Sequence, residues 1–161
     1  MRRVRSAVGL GLSLVVTFAA AFVGGIFTRQ SVSTWYQDLV KPGWTPSGWV
    51  FGPVWSVLYA MMGVSAWLVW RRVGSAIRRP LMLFAAQLML NAAWSLLFFG
   101  LRRPDLAFAE IVLLWCLILA TMLAFRPVSR LAGALLIPYL AWVTYAAALN
   151  AAIWRLNLSV P

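Results

Sequence analysis

Three groups of side chains are spaced so that each acts as a unit. Trp55, Tyr59, Met62 and Ala66 recur at helical intervals, as do Gln87, Asn91 and Trp94, and again Trp142, Tyr145, Ala146 and Leu149. Such intervals put each group on one face of a helix. Indole and phenol rings offer flat apolar walls on which a planar ligand can stack, and the amides of Gln87 and Asn91 can orient its few polar groups. The amides have a second use, because a polar group at mid-helix is costly against lipid and can instead join two helices by a hydrogen bond. Ala146, Ala147 and Ala148 beside Trp142 likewise either leave room for a flat ligand or allow close helix packing.

Other chemistries are largely excluded. The chain has no histidine, one cysteine (Cys116) and only three acids, Asp38, Asp105 and Glu110. A histidine general base is absent, a disulfide within one chain is impossible, and a metal site would have to be built from very few ligands, so none is expected. Glu110 falls inside an apolar run, where a carboxyl is a candidate for function. Its closeness to Pro104-Asp105 leaves two placements open, one near the membrane interface and one protonated within a bundle. Arg102 and Arg103 are near enough to pair with either Asp105 or Glu110.

The elements that must position these residues are membrane helices. Of 161 residues 63% are apolar and 11% charged, with a mean hydropathy of +0.87. The charges gather in short clusters between long apolar runs, a pattern foreign to a soluble surface. Five runs, about 6–28, 50–70, 81–100, 106–125 and 131–154, each reach the roughly 20 helical residues needed to cross an apolar core of about 30 Å. The expected fold is an all-α integral membrane bundle of five transmembrane helices forming a single domain over 1–161. Pro138 is positioned to kink the last helix. Connections after the second, third and fourth helices are short, so neighbours pack antiparallel. The connection 29–49 is long and holds Trp35, Tyr36, Trp44, Trp49, Pro42 and Pro46; it is expected as an ordered cap at the membrane surface.

The first run also resembles a secretory signal, with Arg2, Arg3 and Arg5 before it and Ala19-Ala20-Ala21 within it, but it continues past the alanines through Phe27 and is expected as a retained helix. The net charge of +11 does not imply nucleic acid, because the basic residues flank apolar segments rather than forming a continuous face. Arg2, Arg3, Arg5, Arg71, Arg72, Arg78, Arg79, Arg126 and Arg130 fall on one side, against Arg29, Lys41, Arg102, Arg103 and Arg155 on the other. That asymmetry predicts a cytoplasmic N-terminus. Trp67, Trp70 and Trp154, near helix ends, are expected to anchor at the headgroup boundary.

Residues 35–59 read WYQDLVKPGWTPSGWVFGPVWSVLY, which resembles the WYxxLxKPxWxPPxWVFxPVWxxLY block of the tryptophan-rich sensory protein/translocator protein (TspO/MBR) family. The Gln-Leu-x-Leu-Asn-x-x-Trp pattern at Gln87 to Trp94, Phe98-Phe99-Gly100, Pro138 to Trp142 and Leu149 to Arg155 extend the similarity over nearly all of the chain after Trp35. The resemblance implies a five-helix bundle whose first loop closes over a pocket for porphyrins and haem-like tetrapyrroles, with Trp55, Gln87, Asn91 and Trp142 lining it and Tyr36 covering it. Trp94, Tyr145, Ala146 and Leu149 join this expected ligand-binding set. Lys41 and Arg29 near the mouth can meet porphyrin propionates or serve only at the interface.

The resemblance further implies a homodimer, for which Ala85, Ala86, Ala92 and Ala93 offer small-residue packing, and no cofactor beyond the tetrapyrrole as ligand. Three functions follow as expectations: a tetrapyrrole-binding sensor or trafficking protein; a light-dependent porphyrin-degrading enzyme acting through Trp55 or Trp142; and a partner-binding membrane protein. The chain departs from the family at Pro46-Ser47, where two prolines are usual, and at Ser95-Leu96, where many members carry Pro-Pro. Ala151 stands where the sterol-recognition segment has tyrosine, which argues against sterol binding and for a bacterial-type member in the cell membrane.

Overall fold

The computed structural model describes residues 2–73 and 78–158. The connection 74–77, expected as a short turn, and the side chains of Arg2, Arg3 and Arg78, counted above among the charges of one side, lie outside the described residues. Among the described residues there are seven α-helices, α1 (Arg2–Val32), the short α2 (Trp35–Asp38), α3 (Gly48–Val73), α4 (Arg78–Ser95), α5 (Pro104–Phe125), α6 (Arg130–Leu135) and α7 (Ile137–Leu156), and all but α2 contribute to five membrane-length spans. Each span is long and apolar enough to cross a bilayer, and the protein is an integral, multi-pass membrane protein.

The expected boundaries change where local chemistry allows. α1 runs four residues beyond each expected end because no Pro interrupts it, and its last turn is held by the Ser31 hydroxyl donating to the Phe99 carbonyl at 2.6 Å. α4 passes at Leu96–Gly100 into a π-turn, with Leu101 N–H reaching the Leu96 carbonyl at 2.7 Å. The departure from α geometry falls on Ser95-Leu96, where many family members place two prolines. The wider turn brings Phe98 and Phe99, both buried, to the inner side. Arg102 then takes a left-handed φ of 54° to reverse the chain, and Pro104 starts α5, where a missing N–H is harmless.

The single last helix expected over 131–154 is two helices. Leu136 interrupts it, and Pro138 opens α7 because it has no N–H for the carbonyl of Ala134. Between helices, glycine sets the approach of α1 to α3. A Cβ on Gly63 would stand 2.8 Å from the Leu14 side chain, and the Ser13 hydroxyl donates to the Gly63 carbonyl at 2.7 Å. Trp67 and Trp70 pack onto the N-terminal part of α1: the Trp67 indole donates to the Ser6 carbonyl at 2.9 Å, and the Trp70 ring lies against Gly9. Ala92 packs inward by Gly24, whereas Ala85 is exposed beside Met82 and Met89.

Candidate functional site

The helices enclose a cavity of about 730 Å³ in one half of the bundle, within the ~300–1,000 Å³ range of small-molecule sites. Small residues open it on the α1 side, where Ala21, Gly24 and Gly25 line the wall. Gly52 of α3 faces the same space, and a Cβ at Gly25 or Gly52 would meet nothing within 4 Å. Aromatic rings form the other walls. Trp55 lies 5.5 Å from Tyr59, Trp142 lies 5.7 Å from Tyr145 and 5.9 Å from Phe51, and Trp94 stacks on Phe98 at 5.0 Å (centroid distances).

Buried amides tie the surrounding helices together. Asn91, 5% exposed, accepts from the Tyr59 hydroxyl through Oδ1 and donates through Nδ2 to the Tyr139 hydroxyl at 3.0 Å. One residue thus joins α3, α4 and α7. The Trp94 indole donates to Asn150 Oδ1 at 3.0 Å, and Asn150 Nδ2 donates to the Pro104 carbonyl at 2.8 Å. Both readings of an intramembrane amide therefore meet in Asn91, which bonds between helices and also lines the cavity.

A lid closes the outer end. The Tyr36 ring packs on Phe99 at 5.6 Å. Burial first, and the neighbouring Tyr145 second, raise the Tyr36 phenol above its ordinary pKa. The Tyr145 hydroxyl donates to the Trp44 carbonyl at 2.8 Å. Asn157 grips Val40 from both sides, accepting its N–H at 3.0 Å and donating to its carbonyl at 2.9 Å. The lid is therefore tied to α7 at two separate points.

Lys41 has a role other than the propionate contact considered above. Its ammonium donates to the carbonyls of Tyr36, Gln37 and Leu39 at 2.5, 3.1 and 3.1 Å and lies 4.7 Å from the Tyr36 ring centre. Three donors meeting three carbonyls leave none for a ligand. Arg29, exposed at the mouth, has no carboxylate partner among the described residues. No acid lines the cavity. Arg103 instead chelates Asp105 at 2.9 and 2.6 Å, while both Glu110 oxygens are buried without a hydrogen bond. Of the two pairings open to these arginines, the one with Asp105 forms.

Tyr36, Trp55, Asn91, Trp94, Trp142, Tyr145, Ala146 and Leu149 all line the cavity. Gln87 does not. One turn below Asn91 and 1% exposed, it points its Nε2 toward Met62 Sδ at 4.0 Å, and its Oε1 has no partner. The reason is depth: the Tyr59–Asn91–Tyr139 bridge closes the floor above it. Residues not anticipated for the site include Asn150, an amide in an apolar run whose signal was its residue type, and the small residues of α1, which carried no polar signal. Among the described residues no three His, Cys, Asp or Glu side chains come together to hold a metal.

The profile of the TspO/MBR family matches residues 13–155. A tryptophan-rich protein TspO from Chlorobaculum tepidum is 44% identical over 92% of this chain and 95% of its own length. The translocator protein of Homo sapiens is 42% identical over 84% of this chain and 82% of its own. A tryptophan-rich sensory protein from Cereibacter sphaeroides is 41% identical over 92% of this chain and 94% of its own.

Proposed function

The chain belongs to the TspO/MBR family, and on that premise we propose that it is a membrane receptor that binds a porphyrin or related tetrapyrrole in the cavity beneath its lid. The observation that carries this reading is the character of the cavity: about 730 Å³, lined by Trp55, Trp94 and Trp142, with the Asn91 amide at its floor and the Arg29 cation at its mouth. A planar macrocycle stacks on indoles, and its carboxylates favour the one end where a cation is available. Occupancy then alters trafficking or signalling through the lid. The N-terminus lies in the cytoplasm, in keeping with the nine-to-five arginine and lysine asymmetry. Two copies associate through the exposed Ala85 face of α4.

The test is a porphyrin titration of the purified protein in detergent, in darkness and then under light. Wild type is compared with Trp55→Phe, Asn91→Ala and Trp142→Phe. Saturable binding weakened by these changes supports the pocket; its absence overturns the reading. Arg29→Gln is expected to reduce the preference for free-acid porphyrin over its dimethyl ester, whereas Lys41→Gln is expected to loosen the lid without changing that preference.

A second reading, light-dependent breakdown of the bound porphyrin, draws on the Trp142 indole, which lines the cavity while its N–H has no partner. Binding shifts the Soret band, whereas degradation removes it under illumination only.

A further inference from the structure

The end of the bundle away from the lid carries a cluster of arginines that the tetrapyrrole reading does not use. Arg71 and Arg72 close α3, Arg126 and Arg130 flank the α5–α6 turn, and Arg5 opens α1. All five are exposed. Hydrogen bonds bring their segments together. Arg72 Nη1 donates to the Val128 carbonyl at 3.0 Å, placing the end of α3 against the turn that holds Arg126 and Arg130. The Trp67 indole donates to the Ser6 carbonyl at 2.9 Å, and the Arg71 guanidinium lies 4.6 Å from the Trp67 ring centre, which brings Arg5 and Arg71 to the same corner.

The turn itself is held by its own hydrogen bonds. The Ser129 and Val128 amides return to the Phe125 carbonyl at 2.8 and 3.0 Å, and the Ser129 hydroxyl accepts from Ala132 N–H at 3.3 Å. Gly133 lets α6 approach closely, since a Cβ there would stand 3.3 Å from the Arg126 Cα. The turn thus fixes the backbone that carries Arg126 and Arg130, while the Arg72 and Arg71 guanidiniums are placed by the Val128 carbonyl and the Trp67 ring, and among the described residues no carboxylate takes their remaining donors.

Among the described residues no acid pairs with this cluster. The three acids are Asp38 in the lid and Asp105 and Glu110 in the first two turns of α5, all toward the opposite end. Among the described residues the one ion pair is Arg103 with Asp105. The cluster lies where the spans end, at the level of a bilayer's headgroups, and its neighbours are exposed and apolar: Val4 and Val8 beside Arg5, and Leu131 beside Arg130.

We propose that this corner is a binding site for an anionic phospholipid, its phosphate held between Arg71–Arg72 and Arg126–Arg130 and its acyl chains lying along α1 and α6. Phosphate oxygens match the planar fork of arginine, and a phosphate that enters exchanges water for donors already in position. Exposed apolar side chains adjoining the cations favour a lipid over a free phosphate, which has no use for them.

The test uses the full chain in nanodiscs of phosphatidylcholine doped with phosphatidylglycerol, with bound lipid counted by native mass spectrometry. Wild type is expected to retain phosphatidylglycerol preferentially. At about five-fold per arginine near the surface, Arg72→Gln/Arg130→Gln is expected to lower that preference roughly 25-fold. Arg103→Gln, at the far end, leaves it unchanged. Arg71→Gln/Arg130→Gln keeps the Arg72–Val128 bond and repeats the measurement without disturbing that contact. Equal retention of both lipids by wild type, or an equal loss in Arg103→Gln, would overturn the proposal. So would displacement of the lipid by millimolar inorganic phosphate, which would assign the site to the free anion.

Discussion

Replacing Asn157 by alanine tests how the lid is held, with a readout on two amides. Asn157 presents its side-chain amide to Val40 much as a neighbouring peptide group would, with N–H to Oδ1 at 3.0 Å and Nδ2 to carbonyl at 2.9 Å. Nδ2 also donates to the Ile153 carbonyl at 2.8 Å, which fixes the side chain over the end of α7. Hydrogen bonds in such exposed settings contribute about 0.5–1.5 kcal/mol each, so losing the two that reach the lid raises its opening equilibrium by about 1–3 kcal/mol. That is a factor of roughly 5 to 150.

Hydrogen exchange, followed by NMR or mass spectrometry in nanodiscs, reports the loss of this tie at the Val40 amide, whose own acceptor is removed, and the opening of the lid at the Thr45 amide, which keeps the Pro42 carbonyl. Amides in the middle of α7, such as that of Val143, serve as the internal reference. A bound tetrapyrrole is expected to dissociate faster by a similar factor. Tyr145→Phe, which removes the separate tie to the Trp44 carbonyl, is expected to add to the effect. Unchanged exchange at Thr45 would refute the reasoning. A rise shared by all of α7 would also refute it, since it would mean that the helix frays and the lid merely follows.

Three further outcomes follow from the site. Asn91→Ala breaks the bridge to Tyr59 and Tyr139 and is expected to destabilise the bundle by about 1–3 kcal/mol, on the scale of two interhelical hydrogen bonds in a membrane. Unfolding titrations of Asn91→Ala, Tyr139→Phe and the double variant should be non-additive, and additivity would deny the bridge. Gly52→Leu projects into open cavity, so stability should hold or rise by up to about 1 kcal/mol from helix propensity, while porphyrin affinity measured by Soret titration falls at least about ten-fold. The Tyr36 phenol has its pKa raised by burial, so the folded state binds this proton more tightly than the unfolded one. Its contribution to lid docking is full below the ordinary value of 10.0 and is lost as pH rises through the raised one. Tryptophan fluorescence of the lid should stay flat from about pH 6 to 9 and change only above that, and Tyr36→Phe should remove the change.

The outcomes separate two kinds of information. The five spans were legible because hydropathy over about 20 residues is a local property, and a bilayer imposes the same demand on every segment. The inward faces were legible for the same reason: Trp55, Asn91, Trp94 and Trp142 sit at helical intervals, and an amide or a run of indoles in an apolar span has few other places to point. The recurring motif from Trp35 to Tyr59 added the family.

Contacts between distant segments were not legible. Gln87 and Asn91 share one face, and only the packing of Tyr59 and Tyr139 across Asn91 decides that one lines the cavity while the other lies beneath it. Lys41 reads as a cation near the mouth, yet α2 and the residue that caps it supply three carbonyls that take all its donors. The α1 wall depends on glycines whose meaning appears only when α3 and α4 come alongside. Asn157 meets Val40 across a separation of 117 residues. Hydropathy and helical period are set by near neighbours along the chain and survive in one dimension, whereas lid, floor and mouth depend on the relative register of helices, which exists only once they have packed.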